Sequence, residues 1–98
     1  MVDLQELTHV QTELLESLAL SSPEAARLEL HVSGTSSQHS VSLRPGLAPP
    51  SDEVLYAVRR IFLLHDEGGA PIAGFVCVAD RDASDDSWSM SMEFKYSG

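Results

Sequence analysis

The densest group of side chains that could do chemistry is the acidic stretch at residues 80–86, Asp-Arg-Asp-Ala-Ser-Asp-Asp. Its first, third and fifth positions offer oxygen atoms, as the start of an EF-hand calcium loop does. An EF-hand also needs glycine at the sixth position and glutamate at the twelfth, where this chain has Asp85 and Ser91. The stretch is therefore interpreted as an acidic connection, either a solvated turn or a contact surface for a basic partner.

The other reactive residue types give no sign of catalysis or metal binding. The histidines, at positions 9, 31, 39 and 65, lack the close spacing of zinc ligands. Cys77 lies inside an apolar run, which favours a buried, unreactive thiol. The glycine patterns that bind phosphates or dinucleotides are missing from the sequence, as is the nucleophile elbow. The sequence thus predicts no catalytic residue, no cofactor and no metal site, and the chain is not expected to be an enzyme.

The charge balance excludes whole classes of partner. The 98 residues include 15 Asp and Glu against 6 Lys and Arg, a formal net charge of -9. Nucleic-acid binding needs a stripe of Lys and Arg that displaces counterions from phosphates, and anionic membranes repel an acidic surface. We therefore expect neither nucleic acid nor membrane as a partner, because the field of this protein favours a basic protein.

The expected compartment is the cytoplasm. A lone cysteine cannot form an internal disulfide, which suits a reducing compartment. The first residues are acidic, unlike the basic start of a signal peptide. The longest apolar run, 72–79, is far shorter than the ~20 residues of a membrane-spanning helix. The length predicts one domain over residues 1–98.

The first segment has the period of an amphipathic helix. Leucines and a valine recur at spacings of three and four between Leu4 and Leu18. Asp3 is the predicted N-cap, with Glu6 three residues later in a capping-box arrangement. The helix is expected to stop at residues 21–23, where a proline follows two serines.

The period then changes from near 3.6 to two, which predicts a β-hairpin. Residues 28–32 and 39–43 alternate apolar and polar side chains. Pairing the two apolar faces sets Leu30 opposite Val41, and the turn then closes around residues 35–36. In this register the histidines of the two strands point to opposite faces of the sheet.

The second half repeats the order of helix and hairpin. After a proline-rich link at 44–50, Ser51 is the expected N-cap of a helix that ends at the glycines 68–69. The apolar run 72–79 predicts a central strand buried on both faces, and residues 88–96 alternate strictly. The order α-β-β-α-β-β predicts an α+β fold, an antiparallel sheet with both helices packed on one face.

The candidate contact residues follow from the acidic stretch and its neighbours. Carboxylates near the end of the second helix are unfavourable against the helix dipole, which indicates a use outside helix stability. The aromatic residues of the last strand are expected in the core, unless one is exposed beside the acidic loop and anchors an interface. The predicted partner-binding residues are Asp66, Glu67, Asp80, Asp82, Asp85, Asp86 and Trp88.

The chain resembles the YezG-like immunity proteins of bacterial polymorphic-toxin systems, which are small acidic α+β proteins. The resemblance rests on Ile61-Phe62, on the break Gly68-Gly69-Ala70-Pro71 and on the alternating ending Trp88–Tyr96. It implies a cytoplasmic antitoxin that acts in bacterial competition by binding its cognate toxin. Many such toxins are nucleases, whose substrate grooves are basic.

Two functions are therefore expected from the sequence. The first is an immunity protein that neutralises a secreted bacterial toxin by stoichiometric binding through its acidic surface, with a nuclease as the toxin class expected first. It would act as a monomer in a one-to-one complex rather than as a homodimer. The alternative is a small acidic secretion chaperone, which would dimerise and hold an unfolded segment of an effector.

Overall fold

The computed structural model describes residues 3–21, 24–44 and 50–96. Its four strands form one antiparallel sheet in the order β2-β1-β3-β4, so the predicted α+β fold and element order are confirmed. The predicted helix stop at 22–23 and most of the proline-rich link, 45–49, lie outside the described residues. The elements are α1 (Leu4–Ser21), β1 (Arg27–Gly34), β2 (His39–Arg44), α2 (Asp52–Glu67), β3 (Ile72–Arg81) and β4 (Trp88–Tyr96).

The N-cap of α1 forms as predicted, but the capping box does not close. The Asp3 carboxylate accepts hydrogen bonds from the backbone N–H groups of Gln5 and Glu6, both at 3.1 Å. The Glu6 side chain does not return to the cap and instead forms an ion pair with Arg60 on α2. This pair ties the first turn of α1 to the middle of α2.

The register of the first hairpin differs from the prediction by two residues. Leu30 lies opposite Leu43, not Val41, and Gly34 lies opposite His39 at the end of the ladder. The turn therefore spans 35–38, closed by a bond from the Thr35 N–H to the Gln38 carbonyl at 2.8 Å. A tight turn at 35–36 would need residues that favour positive φ, but these positions hold Thr35 and Ser36. The residue with positive φ is instead Gly34, which comes just before the turn (φ 120°).

The histidines of this hairpin do lie on opposite faces, as predicted. The His39 ring stacks on Phe62 of α2, with ring centroids 4.6 Å apart. The His31 ring instead pairs with Glu29 at 3.1 Å, on the face that points away from the helices. The corrected register keeps this arrangement because a shift of two residues preserves the side of every side chain.

Helix α2 begins and ends where the sequence indicates. The Ser51 hydroxyl accepts a hydrogen bond from the Val54 N–H at 3.3 Å. The helix ends before Gly68, and Gly69 has φ 75°. Its buried stripe faces the sheet and consists of Val54, Ala57, Val58, Ile61, Phe62 and His65.

The core lies between the two helices and one face of the sheet. Helix α1 contributes four buried residues at helical spacing, and the central strands β1 and β3 supply alternate apolar side chains. Of the helices in the described ranges, none is long and apolar enough to cross a membrane. The buried residues of α1, β1 and β3 are Leu7, Val10, Leu14, Leu18, Leu28, Leu30, Val32, Ile72, Phe75, Cys77 and Ala79.

Strand β3 is central, but the prediction that both its faces are buried is wrong. Phe75, Cys77 and Ala79 are buried under the helices, whereas Val76 and Val78 on the other face are only half-buried. None of the described residues forms a layer over that second face, which we call the open face. Valine tolerates this position because β-branched side chains suit a pleated, half-buried surface.

Candidate functional site

The acidic connection between β3 and β4 is an ordered loop built by its own side chains. The Asp82 N–H donates to the Ser87 carbonyl at 2.8 Å, and the Asp86 N–H donates to the Asp82 carbonyl at 2.9 Å. These two bonds hold the ends of the loop together directly above the β3–β4 ladder. Asp86 has φ 58°, a left-handed conformation that aspartate tolerates better than most residues.

Two of the four predicted aspartates act as turn-forming groups. Oδ1 of Asp82 accepts hydrogen bonds from the hydroxyl and the N–H of Ser84, at 2.7 and 2.9 Å. Oδ1 of Asp85 accepts the same pair from Ser87, at 2.7 and 3.0 Å. The bonds from the serine hydroxyl and then from the serine N–H hold the pKa of each carboxyl below its ordinary value. Both groups are therefore charged and fixed in direction at neutral pH.

Asp80 lies on β3 itself and has a cationic neighbour. Its Oδ1 is 3.3 Å from Nη1 of Arg27, the residue opposite it on β1. Arg27 also reaches the Glu29 carboxylate at 3.5 Å. This exposed pair offsets part of the negative charge at Asp80, so the carboxylates of the loop proper carry most of the local field.

Trp88 follows the loop and is half-buried against α1. It lies opposite Arg81 on β3, whose guanidinium carbon is 6.0 Å from the ring centroid. The ring packs at the edge of the core, and part of it faces solvent beside the acidic loop. An aromatic ring at such a place suits an interface anchor.

The structure does not bring Asp66 and Glu67 to the loop. They end α2 beside His65, whose ring lies 4.6 Å from that of Phe94 near the far end of β4. The loop lies at the other end of the ten-residue strand β3, about 30 Å away at the usual rise of a strand. A compact partner that binds the loop through a small patch would not reach both groups.

A second acidic surface, which the sequence analysis missed, lies between the two helices. Glu13 and Glu16 of α1 face the first turn of α2, where Asp52 and Glu53 carry two more carboxylates. With Tyr56, which is 62% exposed, they line an open groove of about 390 Å³. The described residues that line it include no lysine or arginine. The two pairs of acids are far apart in the sequence, and only the packing of α1 on α2 brings them together.

Two side chains of reactive types, His65 and Cys77, lie in the core. His65 is buried, and its Nδ1–H donates to the Ile61 carbonyl at 2.8 Å. Burial raises the pKa of the Cys77 thiol to about 12. Among the described residues, no three His, Cys, Asp or Glu side chains are placed to hold a metal ion together.

Comparison with known proteins adds no family assignment. The chain matches no protein-family model. No curated protein and no solved structure matches it either.

Proposed function

We propose that this chain is an immunity protein, which binds a cognate secreted bacterial toxin in the cytoplasm and neutralises it. The observation that carries the proposal is the β3–β4 loop, where exposed carboxylates are held in fixed directions beside the half-buried ring of Trp88. Such a surface fits a basic groove. The resemblance to YezG-like immunity proteins supplies the biological setting.

Fixed carboxylates favour binding for a physical reason. A side chain that is already held in one orientation loses little conformational freedom when a partner binds it. Oδ1 of Asp82 and Oδ1 of Asp85 are held by the two loop serines before any partner arrives. The loop can therefore present its charge to arginine and lysine side chains without first being ordered.

The net charge of -9 adds a long-range contribution. An acidic protein is steered toward a basic groove, which raises the rate of association and makes that rate sensitive to salt. A nuclease is the toxin class that fits best, because its groove must attract phosphates. A chain bound in that groove would also block the nucleic-acid substrate from entering it.

Co-expression with the products of the neighbouring genes tests the proposal. We expect a folded toxin to co-purify with the chain in equal amounts, one toxin per chain, and the complex to weaken at high salt. Capture of an unfolded segment instead would contradict immunity and indicate the secretion chaperone. Absence of any complex at low salt would also contradict the proposal.

Two charge-matched variants locate the interface. The loop variant changes the four aspartates of the acidic stretch 80–86 to asparagine, which keeps the Oδ1 acceptors of the turns (Asp80→Asn, Asp82→Asn, Asp85→Asn and Asp86→Asn). The groove variant removes the same amount of charge from the helix pair (Glu13→Gln, Glu16→Gln, Asp52→Asn and Glu53→Gln). We expect the loop variant to associate about tenfold more slowly with the toxin, and the groove variant to be affected less. Equal effects would show that only net charge matters.

A further inference from the structure

Strand β4 has a free side. It forms its ladder with β3, and within the described ranges no strand lies along its outer edge. It is nine residues long, whereas β2, the strand at the other edge of the sheet, has six residues. A long edge strand presents a row of backbone N–H and C=O groups that can pair with another strand.

A cleft lies along one half of this edge. Its volume is about 240 Å³, and its lining includes Ser89 as well as residues on the helix side of β4. The cleft therefore lies between α1 and the first half of β4. Besides Ser89, it is lined by Thr8, Gln11, Thr12, Leu15, Trp88 and Met90.

An exposed aromatic side chain lies at the other end of the same strand. Tyr96 is 62% exposed, although it continues the apolar side of β4 and its ring lies 6.3 Å from that of His65. The cleft and the exposed ring lie at opposite ends of one strand. Two copies related by a two-fold axis can therefore form the same contact twice, with the ring of each copy at the cleft of the other.

From these features we infer that two copies of this chain pair through β4, antiparallel and centred on Met92, with Tyr96 of each copy in the cleft of the other. Only this register sets Tyr96 directly opposite Trp88 of the second copy. It also sets Met90 opposite Phe94, a contact between sulfur and an aromatic ring that is favourable. The two sheets then form one continuous eight-stranded sheet.

The open face of the paired strands is compatible with this register. Ser91 of one copy lies opposite Glu93 of the other, and Ser89 lies opposite Lys95. Each charged side chain thus faces a hydroxyl group and not a like charge. Directly opposed like charges would have destabilised the pair.

A dimer departs from the monomer expected from the sequence, and it does not depend on the proposed toxin. It assigns Trp88, which lines the cleft, to the contact between the two copies, so a toxin would then meet the loop aspartates without that ring. The dimer and a complex with a toxin should respond to salt in opposite ways. Two copies of charge -9 repel each other, so salt should strengthen the dimer by screening that repulsion, whereas it should weaken a complex with a basic toxin.

Sedimentation of the full chain over a concentration series tests the pairing. Tyr96→Ala is the test variant and Tyr56→Ala is its matched control, since both tyrosines are 62% exposed and Tyr56 lies on α2, away from β4. We expect a dimer that salt strengthens, a dissociation constant raised about tenfold or more by Tyr96→Ala, and no change for Tyr56→Ala. A monomer at every concentration and salt, or equal effects of the two variants, would overturn the inference.

Charge variants of Ser91 test the register. Ser91→Glu would place a carboxylate opposite Glu93 of the second copy and weaken the dimer, while Ser91→Lys would strengthen it. The control variants Ser42→Glu and Ser42→Lys make the same changes of net charge at an exposed position of β2. They show how much of any effect comes from general charge repulsion between the two copies. We expect the dimer dissociation constants of the two Ser91 variants to differ by a factor about threefold or more larger than the factor between the two Ser42 variants. If the two pairs differ equally, pairing centred on Met92 is wrong.

Discussion

Oδ1 of Asp82 accepts both hydrogen bonds that Ser84 can offer, from its hydroxyl at 2.7 Å and from its N–H at 2.9 Å. Asp85 and Ser87 repeat the arrangement three residues later. The acidic loop is thus held together by the carboxylates that are proposed to meet the partner. Variants at these positions must therefore be chosen so that the loss of the negative charge and the loss of the hydrogen-bond acceptor are tested separately.

Asparagine and alanine at position 82 should therefore have different effects. Asp82→Asn keeps the Oδ1 acceptor and should leave the loop intact, whereas Asp82→Ala removes both bonds from Ser84. We expect amide hydrogen exchange of the loop to stay near wild type in the first variant and to rise in the second. Equal exchange in both would show that charge, and not the acceptor, orders the loop.

The stability contributed by these carboxylates should disappear in acid. Their pKa values lie below the ordinary 3.8 in the folded protein, so their contribution is complete above the pKa of the unfolded chain and is lost as the pH falls through the folded pKa. Compared with the variant Asp82→Asn/Asp85→Asn, the wild type should have its full advantage in unfolding free energy at neutral pH and should lose it as the pH falls below 3.8 and through the lower folded pKa values. An advantage that grows in acid would contradict this assignment; urea unfolding at several pH values measures it.

Two glycines should respond very differently to alanine. A Cβ on Gly74 (φ 141°) would lie 2.3 Å from the Val32 carbonyl oxygen, in the middle of the sheet, whereas a Cβ on Gly69 (φ 75°) has no described neighbour within 4 Å. We expect Gly74→Ala to lower the unfolding free energy by about 2 kcal/mol or more, and Gly69→Ala by about 1 kcal/mol. Thermal unfolding of both variants checks the order, and a milder effect at Gly74 would refute the close approach of β1 and β3.

Cys77 should report on unfolding. Its side chain is buried and its pKa is raised to about 12 by that burial, and the thiolate is the reactive form. A thiol reagent should therefore modify Cys77 only in molecules that have opened, at a rate that rises with urea. Rapid modification of the folded protein would show that β3 is not covered as described.

Much of the fold could be predicted because each element has a clear local signal. The change of period between Leu18 and Leu28 separates helix from strand, and Ser51 marks the start of α2 by its own side chain. The hairpin register was wrong because it depends on the turn, and 35–38 has no strong turn signal. The second face of β3 was assigned wrongly since an apolar run does not show whether a second layer covers it.

The candidate site was predictable in composition but not in geometry. The repeated Asp-x-Ser pattern at 82–84 and 85–87 is a signal for side-chain turns that could have been found in the sequence. The groove at Tyr56 and the cleft beside Trp88 could not, because each depends on how α1 packs against another element. The separation of Asp66 from the loop, in contrast, could be predicted, because it follows from the length of the strand that the apolar run 72–79 indicates.

Growth of a bacterial host tests the central claim most directly. A toxin domain that co-purifies with this chain is expressed alone, with the wild-type chain, with the four-aspartate loop variant or with the groove variant. Immunity predicts that the toxin alone stops growth, that the wild type and the groove variant restore it, and that the loop variant protects less at equal expression. Growth arrest despite a folded, abundant wild-type chain would contradict the account.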